Sequence, residues 1–429
     1  MVMNLKSRLR QILAVGSVES LGVVLGGVAG LLIVNALPKE QYAQYTFLLT
    51  CMTLMLGITD MGLANCCLPV VGQRAGEMPW VVAACHRVFQ KRGWLLLLGF
   101  FVMVPYWLTT ALQHHWLTSA YWIASIFSVL VVLLTLPANY SSTVLMILGH
   151  ITPLNRAGFF SLSVRLAFVC AVLLLPITAY SLSGVIAATA AAGAVSLLFY
   201  RRAFRVLGVM PSRLSGEEAK RTDADIYRIA KPVILPAIFF QVQGSITVFV
   251  VSLFGTTSTL AEVGALGRIA MVLVVIDRVA HILLFPMIAR ASDGPRLVSM
   301  VARSHLAYGG LMTTIFLSAC IWPEYWILLI GSKYESQQVV LWMVFLSALL
   351  MSCAQFAFVT LSSRGYTRRQ TFVVPFVLSL QVLCLWVFGV ADLRAVLALG
   401  IATSLGHFLY QYAMLAVWFA GRHARAASV

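Results

Sequence analysis

Runs of about twenty apolar residues recur along the whole chain, and each is long enough to cross a bilayer as a helix. Mean hydropathy is +0.92, 61% of residues are apolar and only 10% are charged, which excludes a soluble globular domain. The sequence therefore predicts an all-α polytopic membrane protein, because a lipid-embedded backbone must satisfy its own hydrogen bonds. The predicted spans are 11–37, 42–70, 93–112, 118–149, 157–179, 181–200, 232–255, 263–290, 305–330, 338–362, 371–391 and 394–420.

The distribution of positive charge predicts the orientation of these twelve spans. If the N-terminus lies inside, 24 of the 30 Lys and Arg residues fall in cytosolic segments and 3 fall in outer loops. This bias indicates that both termini are cytosolic, and the composition fits a multi-pass protein of an inner-type membrane. The net charge of +16 does not require nucleic acid as a partner, since anionic lipid at the cytosolic leaflet of the bilayer accounts for it.

The span 263–290 carries four polar side chains at membrane depth. They are Arg268, Asp277, Arg278 and His281. A charged side chain near the centre of a spanning helix costs about 2.5 to 3.5 kcal/mol on insertion scales. At about 100° per residue the four share half of the helix circumference, so we expect this half to line a water-filled cavity and the other half to contact lipid.

Other spans carry isolated polar groups. Arg165 lies about two turns from the cytosolic end of its span, where it could either snorkel to the headgroups or face a cavity. Gln241 follows Pro232 and Pro236, a pattern that predicts a bent helix lining the cavity.

Three carboxylates also lie at membrane depth, and each needs a partner or water there. Glu19 is on the first span, Asp60 is near the inner end of the second, and Asp277 is on the eighth. They formally balance the membrane arginines 165, 268 and 278. Two interpretations stay open: the acids bind a coupling ion, or they form structural ion pairs with these arginines.

An internal repeat of about 217 residues divides the chain. Asp60 aligns with Asp277, Gly149 aligns with Gly365, and Pro-containing turns align at similar offsets. The repeat predicts a lobe at 1–200, a cytosolic linker at 201–231 and a second lobe at 232–429. Because each repeat contains an even number of spans, we expect the lobes to be related by an axis along the membrane normal, with Asp60 and Asp277 at equivalent depths.

Four local patterns make the chain resemble the polysaccharide transporter branch of the multidrug/oligosaccharidyl-lipid/polysaccharide (MOP) exporter superfamily. They are LPKEQY at 37–42, DMGL at 60–63, LIGSKYE at 329–335 and LSSRGYTRR at 361–369. The resemblance implies two six-helix lobes around a central cavity. It also implies a flippase that carries an undecaprenyl-pyrophosphate-linked oligosaccharide to the periplasmic leaflet, for O-antigen or exopolysaccharide synthesis. Polysaccharide polymerase and chain-length proteins are the implied protein partners.

In this interpretation Arg268, Arg278 and Arg165 contact the diphosphate, since a guanidinium matches phosphate oxygens in charge and shape. Gln241 and His281 are further expected cavity residues. We expect no cofactor and no metal site, with a proton or sodium ion as the coupling ion if one is used.

Two other functions compete with the flippase. A cation-coupled multidrug exporter of the same superfamily would use Asp60, Asp277 or Glu19 to bind the ion. A membrane glycosyltransferase or polysaccharide polymerase would need catalytic carboxylates or metal ligands on outer loops. The predicted outer loops are short and carry no such group, so the sequence favours a transporter rather than an enzyme.

Overall fold

A computed structural model describes residue 22 and residues 24–175, 178–291, 294–364, 366, 369–389 and 392–427. Within this described part the chain forms fifteen α-helices and no strand. The helices are α1 Val24–Ala36, α2 Lys39–Asp60, α3 Cys67–Val71, α4 Met78–Gln113, α5 Ser119–Ile147, α6 Ile151–Leu174, α7 Ser181–Val206, α8 Gly216–Gln243, α9 Ile246–Phe254, α10 Thr257–Arg290, α11 Pro295–Ile321, α12 Pro323–Leu328, α13 Leu341–Ser363, α14 Val373–Phe388 and α15 Leu393–Ala427. Short 3₁₀ turns occupy Leu63–Cys66, Gly72–Arg74, Thr178–Tyr180, Ser332–Val340 and Gln370–Phe372.

Each of the twelve predicted spans overlaps one of these helices within the described residues. By length and apolarity alone, eight of the described helices could cross a membrane, and the bent pair α8–α9 would make a ninth. The protein is therefore a multi-pass helical membrane protein, as the apolar runs predict. Its location in the inner membrane and the cytosolic position of its termini stay predictions.

The chain divides into two compact units, Met1–Ala261 and Glu262–Val429. The boundary lies about thirty residues after the end of the predicted linker, because α8 and α9 pack within the first unit. The segment 201–231 is mostly helical: it contains the end of α7 and the first turns of α8. The assignment of lobes to 1–200 and 232–429 stays a prediction.

Ion pairs join the start of α8 to α4. They lie on the side of the protein that the Lys and Arg bias predicts to be cytosolic. The Asp223 carboxylate lies 2.6 Å from Arg87 Nη2 and 2.9 Å from Lys91 Nζ. Hydrogen bonding from Arg87 holds the pKa of Asp223 below its ordinary value. The polar first turns of α8 therefore belong structurally to the first unit.

The end of α9 is fixed to the end of α4 by polar contacts at the opposite side. The Tyr106 and Ser252 hydroxyls lie 2.5 Å apart, and Gln113 Nε2 donates to the Leu253 carbonyl at 3.0 Å. His114 Nε2 lies 3.0 Å from the Ser252 carbonyl. Between these anchors the helix axis bends by 55° at residues 244–245. The predicted bend is present, but it follows Gln241 and does not coincide with the two prolines.

A glycine on α2 permits the close approach of α8. A Cβ atom on Gly57 would lie 1.9 Å from Gln241 Cγ, far inside van der Waals contact. The space that Gly57 leaves lets Gln241 Nε2 donate to the Thr53 carbonyl at 3.0 Å. This amide therefore joins α8 to α2 across 188 residues of sequence.

Replacing Gly57 with alanine should displace Gln241 and break this hydrogen bond, so that the free energy of unfolding is about 1 kcal/mol lower than that of Gly93→Ala. Thermal unfolding of the purified protein followed by fluorescence would measure the loss. Gly93→Ala is the matched control, since a Cβ there meets nothing within 4 Å and alanine favours a helix interior. Equal behaviour of the two variants would contradict the prediction.

Candidate functional site

Asp60 ends α2 and pairs with a buried arginine of α4. Met61 and Gly62 have positive φ angles of 41° and 80°, so the chain turns sharply and leaves the carboxylate at the helix end. Asp60 Oδ1 accepts a hydrogen bond from the Ala64 amide at 3.0 Å and lies 3.4 Å from Arg92 Nη2. The Arg92 side chain is only 4% exposed, whereas that of Asp60 is 33% exposed. The carboxylate therefore supplies the counter-charge for a buried guanidinium.

Arg92 lies one residue before the predicted span 93–112, so the sequence predicts a loop position for it. It lies inside the 36-residue helix α4, which begins at Met78 rather than at the predicted residue 93. Its guanidinium lies 4.6 Å from the Phe89 ring centroid, a cation–π distance. The observed partner of Asp60 is thus not one of the three membrane arginines that the structural-pair interpretation offered for it.

Asp277, in α10, has hydroxyl partners. Tyr308 of α11 donates its hydroxyl to Asp277 Oδ1, and Ser352 of α13 donates to Oδ2 at 3.0 Å. Both donors are buried. No described Lys or Arg side chain forms an ion pair with this carboxylate, so hydroxyl groups alone are its described polar partners.

Asp60 and Asp277 are equivalent positions of the internal repeat, and the residues that they contact are equivalent positions as well. Asp60 and Asp277 are 217 residues apart, and their partners Arg92 and Tyr308 are 216 apart. The aromatic contact of Phe89 with Tyr140, at 5.6 Å between ring centroids, has its counterpart in His305 with Phe356 at 4.7 Å, again shifted by 216. Each unit therefore contains one version of the same helix contact, with arginine in the first version and tyrosine in the second.

A second hydrogen-bonded group lies next to Asp277 in the second unit. His305 Nδ1 lies 3.1 Å from the Tyr412 hydroxyl, and Nε2 lies 3.3 Å from Thr360 Oγ1. The rings of His305 and Tyr308 both contact Phe356, so His305 and the donor to Asp277 share one aromatic surface. His305 is not among the residues predicted from the sequence, although its spacing of three from Tyr308 on one helix face could have marked it.

The two membrane arginines whose side chains the structure describes, Arg165 and Arg268, are only partly buried. Arg165, on α6, has a buried Nε that makes no hydrogen bond to any residue in the described part of the chain. Arg268, on α10, places Nη1 3.5 Å from the Met271 sulfur. The side chains of Arg278 and His281 lie outside the described part, and so does Glu19.

Gln241 is the remaining predicted cavity residue, and it uses its amide within the first unit. The amide donates to the Thr53 carbonyl. The roles of Arg165, Arg268, Arg278, Gln241 and His281 in substrate binding stay predictions.

Comparison with known proteins gives no match to any family model and no match to a curated sequence. Solved structures do match. An inward-facing multidrug resistance MATE family transporter of the MOP superfamily is 13% identical, with a TM-score of 0.68 and 95% of each chain covered. The Vibrio cholerae MATE transporter VcmN in its bent form is 13% identical, with a TM-score of 0.56 and 98% of each chain covered.

A Pyrococcus furiosus transporter of the MOP superfamily also matches, with 12% identity and a TM-score of 0.60. The alignment covers 97% of this chain and 95% of that one. That transporter is described as having a binding pocket of reverse polarity that suggests a different function. At these identities the likeness shows the fold: this chain has the fold of MATE transporters, which comprises twelve helices in two lobes. The predicted fold class is confirmed.

Proposed function

We propose that this protein is a transporter that works by alternating access and carries an undecaprenyl-pyrophosphate-linked oligosaccharide to the periplasmic leaflet. The observation that carries the proposal is the state of Arg165. Its Nε is buried and makes no hydrogen bond within the described residues. A buried guanidinium nitrogen without a partner is costly, so a bound anion would remove that cost.

The charges of the carboxylates support the same proposal. If Asp60, Asp277 and Glu19 neutralised the three membrane arginines, no positive charge would be left for an anionic substrate. Asp60 is paired with Arg92 and Asp277 is bonded to hydroxyl groups. The charge balance between the three carboxylates and the three membrane arginines therefore leaves out Arg92, whose buried guanidinium pairs with Asp60. A diphosphate suits Arg165, Arg268 and Arg278 because each guanidinium can bind two phosphate oxygens at once.

Asp277 is our proposed site of ion coupling. A carboxylate surrounded by hydroxyl groups can bind a proton directly or contribute to an oxygen cage for a sodium ion. Asp60 is less suited to this role because its carboxylate already supplies the counter-charge of the buried Arg92. In this proposal the first unit holds a fixed ion pair and the second unit holds the exchangeable cation.

A cation-coupled multidrug exporter is the second candidate. It is favoured by the same Asp277 site and by the fact that solved structures with this fold include a multidrug resistance transporter. The two candidates differ in the charge of their cargo: a diphosphate needs the arginines, whereas a cationic drug is repelled by them. Polysaccharide polymerase and chain-length proteins are partners only under the first candidate.

Replacing Arg165 with alanine should stop glycan export while the protein remains in the membrane at normal abundance, and lipid-linked oligosaccharide should accumulate on the cytosolic face. Lysine at this position should restore part of the export, since it keeps the charge but loses the bidentate geometry. The measurements are surface glycan, lipid-linked oligosaccharide and protein level in the host strain. Arg156→Ala, an exposed arginine on the same helix, is the control and should export normally.

Drug susceptibility separates the two candidates in the same strains. If the wild-type protein confers drug resistance and leaves glycan export unchanged, the flippase proposal fails and the multidrug exporter replaces it. If Arg165→Ala exports glycan normally at wild-type abundance, Arg165 does not bind the diphosphate. A lower protein level in Arg165→Ala, restored by a second substitution of an acidic residue, would instead indicate a structural ion pair.

A further inference from the structure

A small cavity lies at the end of the first unit that the charge bias assigns to the cytosol. Its volume is about 210 Å³, and it lies between the ends of α4, α5 and α7 and the segment 209–213 that follows α7. Pockets that enclose drug-sized ligands measure roughly 300 to 1,000 Å³. This cavity therefore has room for part of a small ligand, such as a headgroup.

A glycine turn at the end of α7 creates the cavity. Gly208 has a φ angle of +65°, the Val209 amide donates to the Phe204 carbonyl at 2.9 Å, and the Gly208 amide donates to the Arg205 carbonyl at 3.3 Å. These two bonds with a left-handed glycine are the Schellman arrangement, which ends a helix and redirects the chain. Val209 is then buried, so the segment 209–213 is held across the ends of α4 and α5.

The cavity combines an aromatic surface with a cationic edge. The Tyr140 ring packs edge-on against His86 and Phe204, at centroid distances of 6.1 and 6.3 Å. Ser212 and Arg213 complete the lining. Arg213 forms no ion pair with any side chain that the structure describes.

The surroundings of the cavity carry an excess of positive charge. Arginines 201, 202 and 205 on the last turns of α7 also form no ion pair within the described residues. The Asp223 carboxylate at the start of α8 already forms ion pairs with Arg87 and Lys91. An anion that enters the cavity would therefore meet uncompensated guanidinium groups.

Exposed apolar side chains lie beside these arginines. Val206 is 77% exposed and Met210 is 74% exposed, although both side chains are apolar. Basic and apolar side chains alternating at the end of a spanning helix are typical of the boundary between acyl chains and headgroups. The same short segment thus offers contacts to a phosphate and to a hydrocarbon chain.

We propose that this cavity binds the phosphate-bearing headgroup of an anionic phospholipid of the cytosolic leaflet. Arg213 and Ser212 bind the phosphate oxygens, and the glycerol backbone lies against Tyr140 and Phe204. The acyl chains lie along Val206 and Met210. This site belongs to the first unit alone and does not depend on what the protein transports.

Native mass spectrometry of the purified full chain in detergent tests the site. We expect phosphatidylglycerol to be retained better than phosphatidylcholine, and Arg213→Ala to weaken that retention about tenfold, the effect of losing one charge-assisted hydrogen bond. Arg213→Lys should keep part of the retention. Arg228→Ala is the matched control: Arg228 is also exposed but pairs with Asp225 on α8, and its loss should leave retention unchanged.

Three outcomes would overturn the proposal. Equal retention of phosphatidylcholine and phosphatidylglycerol would show that charge does not select the lipid. Full competition by millimolar inorganic phosphate would show a free-phosphate site rather than a lipid site. Wild-type retention by Arg213→Ala would show that the lipid binds elsewhere. A thermal unfolding curve identical to that of the wild type serves as the control that this variant is folded.

Discussion

Asp60→Asn should destabilise the first unit by about 3 kcal/mol, because it leaves the buried Arg92 guanidinium without a counter-charge. Asparagine can still accept the hydrogen bond from the Ala64 amide, so the substitution removes charge and little else. We choose the lower end of the range for broken buried pairs because Asp60 itself is 33% exposed. The measurement is chemical or thermal unfolding of the protein in detergent, together with its abundance in the membrane.

Asp225→Asn is the control for this experiment. Asp225 pairs with Arg228 at 2.8 Å, but the two side chains are 49% and 79% exposed. An exposed pair of this kind contributes less than about 1 kcal/mol. If the two asparagine variants unfold alike, the Arg92 ion pair does not stabilise the fold.

A compensating substitution sharpens the conclusion. Adding Arg92→Met to Asp60→Asn removes the unpaired charge and fills a similar volume, so part of the lost stability should return. A double variant that is less stable than Asp60→Asn would show that Arg92 contributes through other contacts, such as its position over Phe89.

Asp277→Asn should abolish the dependence of transport on an ion gradient while leaving the fold intact. The side-chain amide is nearly isosteric with the carboxylate and can still accept a hydrogen bond from Tyr308 or Ser352, but it cannot bind a proton at physiological pH. Moving one elementary charge across the membrane with the cargo contributes about 2.3 kcal/mol per 100 mV of membrane potential. Losing it should therefore reduce the gradient-driven accumulation ratio about fiftyfold at that potential.

Proteoliposomes with an imposed proton or sodium gradient allow this measurement, and each gradient identifies its own ion. Asp392→Asn is the matched control, since Asp392 is exposed and its described side-chain partner is the Ala395 amide at the start of α15. Transport by Asp277→Asn that still responds to the gradient would assign Asp277 a structural role. The coupling ion would then bind elsewhere.

The helices were predictable because a spanning segment must be both apolar and helical, and apolarity can be counted in sequence. The ends of the helices were less predictable. α4 begins at Met78 and α8 at Gly216, each about fifteen residues before the predicted span, because a helix can continue into water where hydropathy falls. α2 ends at Asp60, ten residues early, because the turn at Met61 and Gly62 interrupts an apolar run.

The acidic residues of the site were predictable, but their partners were not. An isolated carboxylate in an apolar segment is conspicuous, and both Asp60 and Asp277 were selected for that reason. Their partners depend on which helix faces meet. The predicted span 93–112 leaves Arg92 in a loop, and a tyrosine such as Tyr308 is unremarkable in a membrane helix. The repeat offset of 216, applied to Arg92, would have pointed to Tyr308.

The exchange of arginine for tyrosine between the two copies has an evolutionary consequence. In a chain with an internal repeat each position occurs twice, so a residue can change in one copy while the equivalent residue in the other copy keeps its contact. Here the helix pairing survives in both copies, but its electrical character differs by one side chain. In the function that we propose, the first unit keeps its carboxylate as the counter-charge of a buried arginine, while the second unit binds and releases a cation during each transport cycle.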